Sequence, residues 1–275
     1  MKNQDESFQV ETVVTPDGNS VSLCKERGGI ITSIQYAGTE ILYLDTCTLY
    51  NEKSNVRGGI PILFPNAGPL HGTEYPFLRQ HGFARDSSAW IVEKTLTGFS
   101  ETLTSSTETL ALFPYAFRFT TQAYFEDDGS FTIAQEVTNT GAIEALPLSM
   151  GLHPYFAVPN DQKKAMRFNF GGGTIEAQYE TWANGESISL DNPNTPLEIT
   201  IPSVGTLTIN VSPEYQKIWV WSLAGKDFVC IEPVMRDNGG LESDPELIQP
   251  EMTMATRMNI SFKKSHTEQH TTTEE

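Results

Sequence analysis

The sequence predicts an all-β fold in which two packed antiparallel sheets share one core. Three observations lead there. Short runs rich in Thr, Val, Ile and aromatic residues recur along the chain. Several of them alternate with a period of two, and Gly, Pro, Asn or Asp separates most of them. No stretch offers a long amphipathic helix with caps.

Phe8 to Val14 alternates, and PDGNS follows as a turn. Val21, Leu23, Ile30, Ile31 and Ile34 continue the pattern around Gly28 and Gly29. Ile41 to Tyr50 reads as a further β-rich stretch. Later strand-like runs are SAWIVEKTL, TLALFPYAFRFTTQAYFE, SFTIAQEVTNTG, TPLEITIPSVGTLTINVS and KIWVWSL. Alternation is clearest in Phe119 to Phe125 and in TLTINV. Short helices are expected near Asp161 to Arg167 and Ser243 to Ile248. No linker and no fixed repeat appears. The expectation is one sandwich domain over residues 1–264 and a polar tail over 265–275. His266 and His270 are read as tail residues rather than metal ligands.

At 275 residues the chain suits one large β-domain. Apolar residues at 38% against charged residues at 19% mark a globular protein rather than a disordered one. The net charge is -17, from 18 Lys plus Arg against 35 Asp plus Glu. That surface opposes non-specific binding to nucleic acid or anionic membranes. It does not exclude an anionic substrate, because a local arginine cluster can overcome a distant field. Cys24, Cys47 and Cys230 are odd in number and far apart, so neither a disulfide framework nor a thiolate metal site is indicated. The start, MKNQDESFQV, lacks a basic segment followed by an apolar one, so no secretory signal is expected. The apolar run GAIEALPLSMGLHPYFAV is broken by Glu144, Pro147 and His153 and is too polar to span a bilayer. A cytoplasmic protein is the default expectation.

Candidate chemistry gathers in turn-rich segments. His71, His81 and His153 sit in GPLHGTEY, RQHGFARD and GLHPYFAVP. A histidine on a loop held by a rigid sheet can exchange protons near neutral pH, or it can be a packed loop residue. Arg57 precedes GGIP, and Arg79 and Arg85 flank His81. A guanidinium matches a multi-oxygen anion, or it makes a surface ion pair. Gln80 can both donate to and accept from a sugar hydroxyl. Glu232 follows an apolar β-run and precedes a proline, where a strand can deliver a carboxylate to a site; an edge-strand charge is the alternative. Asp237, Glu242 and Asp244 read as solvated acids. The GGIP glycines lack the phosphate-loop pattern. No serine sits at a nucleophile elbow, and no HExxH or CxxC pattern occurs. A metal held by His81, His153 and a carboxylate stays compatible with the spacing.

Four of these segments, VRGGIPILFPNAGP, LRQHGFARDSSAW, LSMGLHPYFAVP and VCIEPV, resemble the aldose 1-epimerase (mutarotase) superfamily, in particular the branch containing the hexose-6-phosphate mutarotases. The resemblance runs from about residue 20 to residue 262. It implies a galactose mutarotase-like β-supersandwich with a cleft on one face, and a reaction needing no metal and no cofactor. It implies His153 as general acid, Glu232 as general base and His81 as an assisting residue. Arg57, Gln80 and Arg85 match substrate-contacting positions, the arginines holding a 6-phosphate in the phosphate-specific branch. The family's sugar-binding aspartate lies in a TDR-like segment that is missing here; Asp191 occupies the corresponding part of the chain. Phe83, Tyr155 or Trp219 offers an apolar face to a sugar, with core packing expected for at least one. The implied partner is a small sugar or sugar phosphate, and the implied assembly is a monomer or weak homodimer. A non-catalytic carbohydrate-binding protein of the same fold is the alternative.

Overall fold

The computed structural model describes residues 8–265. Most of them belong to antiparallel sheets. The largest has eight strands, in the order Arg167–Phe168, Leu197–Ile201, Gly205–Val211, Thr253–Lys264, Phe131–Asn139, Phe117–Phe125, Gly98–Thr104 and Ile91–Lys94. A second, six-stranded sheet runs Ile188–Asp191, Lys217–Trp221, Phe228–Val234, Gly151–Leu152 and Ile62–Leu63, with Tyr155–Ala157 also paired to Phe228–Val234. Four short strands between Val10 and Glu40 form a third sheet, and Leu146–Leu148 pairs with Glu246–Ile248. This is the expected mostly-β, sandwich-type architecture.

The period-two pattern explains how the sheets pack. In Phe117–Phe125 every second residue is buried, from Phe117 through Phe119, Thr121 and Ala123 to Phe125. That row faces the core. Phe64, just beyond Ile62–Leu63 of the second sheet, meets it across the layer. Its ring lies 4.6 Å from Phe119 and 4.9 Å from Phe117, centroid to centroid, with Phe83 and Phe113 at its edges. Phe228–Val234 differs, because all seven of its residues are buried. Each face of that strand is covered, one by the core and the other by the floor of a cleft.

Several local expectations give way to capping chemistry. Ile41 to Tyr50 is not a continuous strand. Leu42 and Leu44 make isolated bridges, and Thr46–Leu49 then forms a helical turn. Asp45 caps it by accepting from the Cys47 and Thr48 amides. Thr107–Leu112, which overlaps the start of TLALFPYAF, is helical behind a capping box of Ser106 and Thr109. Asn160–Ala165 is a 3-10 helix, close to the helix expected there. Near Ser243 the helix is Gly240–Ser243, and Glu246–Ile248 is a strand instead. Thr174–Ala177 and Tyr179–Trp182 are further short helices. His266, His270 and the rest of the expected tail beyond Ser265 lie outside the described residues. No helix among the described residues is long and apolar enough to cross a membrane.

Phe64→Ala should lower stability by about 3–5 kcal/mol, because it removes a fully buried ring and leaves a cavity among four aromatic neighbours. Urea unfolding followed by tryptophan fluorescence measures this. A loss under about 1 kcal/mol would mean the layer is not packed as described.

Candidate active site

The cleft is built on Phe228–Val234. Cys230 and Glu232 are two residues apart and so project to the same face. Glu232 stands opposite Trp219 on one neighbouring strand, and Cys230 stands between Trp221 and Tyr155. His153 precedes Tyr155 by two residues, and its amide donates to the Pro61 carbonyl. The backbone therefore brings imidazole and carboxyl together: His153 Nε2 lies 3.5 Å from Glu232 Oε1. Both are buried, at 6% and 3% exposure. The His153 ring stacks on Tyr155 at 4.7 Å, and the Trp221 ring meets it edge-on at 5.9 Å.

His81 comes from the opposite wall. Its backbone has φ 71°, and Gly82 follows with φ 65°. Left-handed backbone is strained for a histidine. The turn is held from below: the Gly82 amide donates to Arg79, and the Phe83 amide donates to the Phe64 carbonyl at 2.9 Å. A Cβ on Gly82 would stand 1.9 Å from that carbonyl oxygen, so only glycine fits. His81 Nδ1 donates to the Ala67 carbonyl at 2.6 Å, which leaves Nε2 as an acceptor. The two imidazole centroids are 5.5 Å apart.

The cleft between these walls has a volume of about 780 Å³. Arg57, Arg79, Arg85 and Gln80 line it together with His81, His153 and Glu232. None of the three arginines has a carboxylate within 4.0 Å among the described residues. Arg85 reaches the Val56 carbonyl at 3.3 Å. Tyr155 and Trp219 also line the cleft, whereas Phe83 packs against Phe64 and Phe117.

Two of the candidate residues lie elsewhere. His71 is exposed and off the cleft wall; its amide donates to Glu242 at 2.8 Å. Asp191 is also exposed, off the wall, and paired with Lys217 at 2.7 Å. Besides Glu232, the carboxylate that lines the cleft is Asp237. It accepts from Ser189 Oγ at 2.6 Å and Trp219 Nε1 at 2.9 Å, and lies 3.3 Å from Lys217. On sequence alone it reads as a solvated acid. Its partners are strand residues 18 to 48 positions away, which no local pattern reveals.

Burial sets the electrostatics. It pushes the Glu232 carboxyl up to about 8, against a lowering pull from Arg85. Burial first, then His81 and Arg85, hold the His153 imidazolium well below its ordinary range. Burial and Arg85 bring His81 down to about 4, although the Ala67 carbonyl opposes this. For Asp237 burial acts upward, but the Ser189 and Trp219 hydrogen bonds and Lys217 outweigh it, and the net shift is down. Both shifts favour the uncharged forms, a protonated Glu232 beside a neutral His153.

The aldose 1-epimerase family model matches residues 12–202. The chain belongs to the aldose 1-epimerase family. Arg57, Gln80, His81, Arg85 and His153 fall within the matched span, and Glu232 lies beyond it. A Cenchrus ciliaris protein provisionally named glucose-6-phosphate 1-epimerase is 29% identical over 170 residues, 54% of this chain. The chain spans about half the length of that curated relative, 50%. A crystal structure of a protein from Synechocystis sp. PCC 6803 superposes with TM-score 0.84 at 25% identity, covering 96% of this chain and 99% of that one. The galactose mutarotase related enzyme of Lactobacillus acidophilus shares the fold, with TM-score 0.72, 18% identity and coverage of 93% and 97%. The fold shared with these structures therefore extends over nearly all of this epimerase-family chain.

The raised Glu232 value gives a stability signature. The folded state keeps a proton that the unfolded chain releases above about 4.5, so this carboxyl costs stability progressively between there and about 8. Glu232→Gln removes that cost. The melting temperature of the variant should exceed that of the parent at pH 8, and the gap should close as pH falls to the ordinary carboxylate range. Calorimetry across pH measures this; a gap independent of pH would refute the buried, proton-holding carboxyl.

Proposed function

We propose that the chain is a mutarotase that interconverts the α and β anomers of an aldohexose, with the 6-phosphate as the preferred form. The observation that carries this reading is the 3.5 Å contact of His153 with Glu232 on a buried cleft floor. Mutarotation needs a base at the anomeric hydroxyl and an acid at the ring oxygen. Glu232 as carboxylate removes the hydroxyl proton while His153 as imidazolium protonates the ring oxygen. The ring opens to the aldehyde, C1 turns about the C1–C2 bond, and the two groups exchange roles on closure.

The pair enters this step with one proton. Moving it from Glu232 to His153 creates the reactive ion pair without changing the net charge of the buried site. Neutral His81, with Nδ1–H committed to Ala67, offers Nε2 to a sugar hydroxyl. Asp237, held by Ser189 and Trp219, accepts from another. Tyr155 and Trp219 supply an apolar face. The three arginines without carboxylate partners support an anionic substrate, and the name carried by the Cenchrus relative agrees with a 6-phosphate.

His153→Ala and Glu232→Gln should each slow anomer exchange by roughly a hundred- to ten-thousand-fold with the fold intact. NMR exchange spectroscopy on glucose and glucose 6-phosphate reads the rates. A near-parental rate in either variant takes that residue out of the mechanism, and no acceleration by the parent for either sugar refutes the reading.

Arg57→Ala and Arg85→Ala should lower kcat/KM for the 6-phosphate by roughly ten- to a hundred-fold, as expected for charge-assisted hydrogen bonds, and should affect the free sugar far less. Asp237→Asn should weaken both sugars alike. Equal losses on both substrates in the arginine variants would argue against phosphate recognition.

A further inference from the structure

A third donor lies beside the acid–base pair. Cys230 shares the Glu232 face of its strand, and one ligand atom from each of His153, Cys230 and Glu232 lies within 4.8 Å of the other two. All three residues are buried, Cys230 completely. Among the described residues, His153 Nδ1 has no hydrogen-bond partner, and Nε2 has only the long 3.5 Å approach to Glu232. The imidazole therefore keeps a lone pair uncommitted in a place where unpartnered polar atoms are costly.

We propose that Cys230, His153 and Glu232 form a binding site for a thiophilic divalent cation of the Zn²⁺ type, and that the loaded form is catalytically silent. The donor set is one such ions accept: a thiolate at about 2.3 Å, an imidazole at about 2.0–2.1 Å and a carboxylate at about 2.0–2.2 Å. Around a tetrahedral ion such donors stand roughly 3.3–3.7 Å apart, so the widest pair must close by about 1 Å. Charge balances as well. A thiolate and a carboxylate neutralise the ion, so no net charge is left in the buried site. Loading releases two protons to solvent, one from the thiol and the one shared by the carboxyl and imidazole.

Access and inhibition follow from the same placement. His153 and Glu232 line the cleft, so an ion can enter from it, and three protein donors would leave a fourth position for water or a sugar hydroxyl. Once the lone pairs of Glu232 and His153 are bound to metal, neither group can exchange a proton with a substrate. The inhibitory part rests on the mutarotase reading, whereas binding itself does not.

Co²⁺ is the probe, titrated into the full chain carrying Cys47→Ser so that the exposed thiol cannot compete. One equivalent should produce a thiolate-to-cobalt charge-transfer band in the near ultraviolet. Zn²⁺ should bleach it, and Cys230→Ala should abolish it. Zn²⁺ should also slow anomer exchange, with its midpoint raised at least tenfold in Cys230→Ala, while the metal-free rate of that variant stays near the parent's. No band in the Cys47→Ser chain, or an unchanged band in Cys230→Ala, overturns the site. The first readout decides even if the Cys230 variant does not fold. A Cys230-dependent band in a protein without anomer exchange would keep the cation site and remove the mutarotase reading.

Discussion

The chain has to keep a carboxyl dry beside an imidazole, and much of its architecture serves that requirement. An isolated carboxylate in such a place would be prohibitively unstable, and so would an isolated imidazolium. A pair that shares one proton avoids both costs. It needs two side chains from different segments held at contact distance and largely buried. Complete burial of Phe228–Val234 supplies the dryness, and its pairing with Tyr155–Ala157 fixes His153 two residues away from a paired position. Tyr155 and Trp221 then pack around the imidazole and limit its rotation.

The opposite wall depends on the core through one residue. Phe64 stacks within the aromatic layer, and its carbonyl accepts from Phe83, directly after the left-handed His81–Gly82 turn. Strain in that turn persists because the layer beneath will not yield. The position of His81 is thus set by sheet packing and by the absence of a side chain at Gly82, rather than by the loop's own preferences. Gly28 plays a parallel part for Arg85: a Cβ there would stand 2.0 Å from the Arg85 carbonyl oxygen.

Those dependencies explain what the sequence could and could not reveal. Alternation in Phe117–Phe125 was legible because one face meets the core and the other does not. The helical turns at Thr46 and Thr107 were not, since Asp45 and Ser106 outweigh the β-propensity of the residues that follow them. The motif segments carrying His81, Arg85, His153 and Glu232 were visible, and the fold brings these side chains to one cleft. Asp191 and Asp237 could not be separated by pattern. Both meet Lys217, but only Asp237 has Trp219 and Ser189 turned toward it from neighbouring strands. Cys230 likewise reads as an isolated thiol until strand periodicity places it beside Glu232.

Arginine in the cleft acts on the pair in a particular way. Arg85 lowers both Glu232 and His153, because a nearby positive charge favours carboxylate and disfavours imidazolium. It moves down the pH at which the pair loses its shared proton altogether. An anion bound to Arg85 cancels part of this field and moves that pH back up. In the proposed reaction, a 6-phosphate on the arginines would do more than anchor the sugar. It would hold the one-proton state of the pair to more alkaline pH than an unphosphorylated sugar can, so substrate charge and catalytic competence are linked through the same guanidinium.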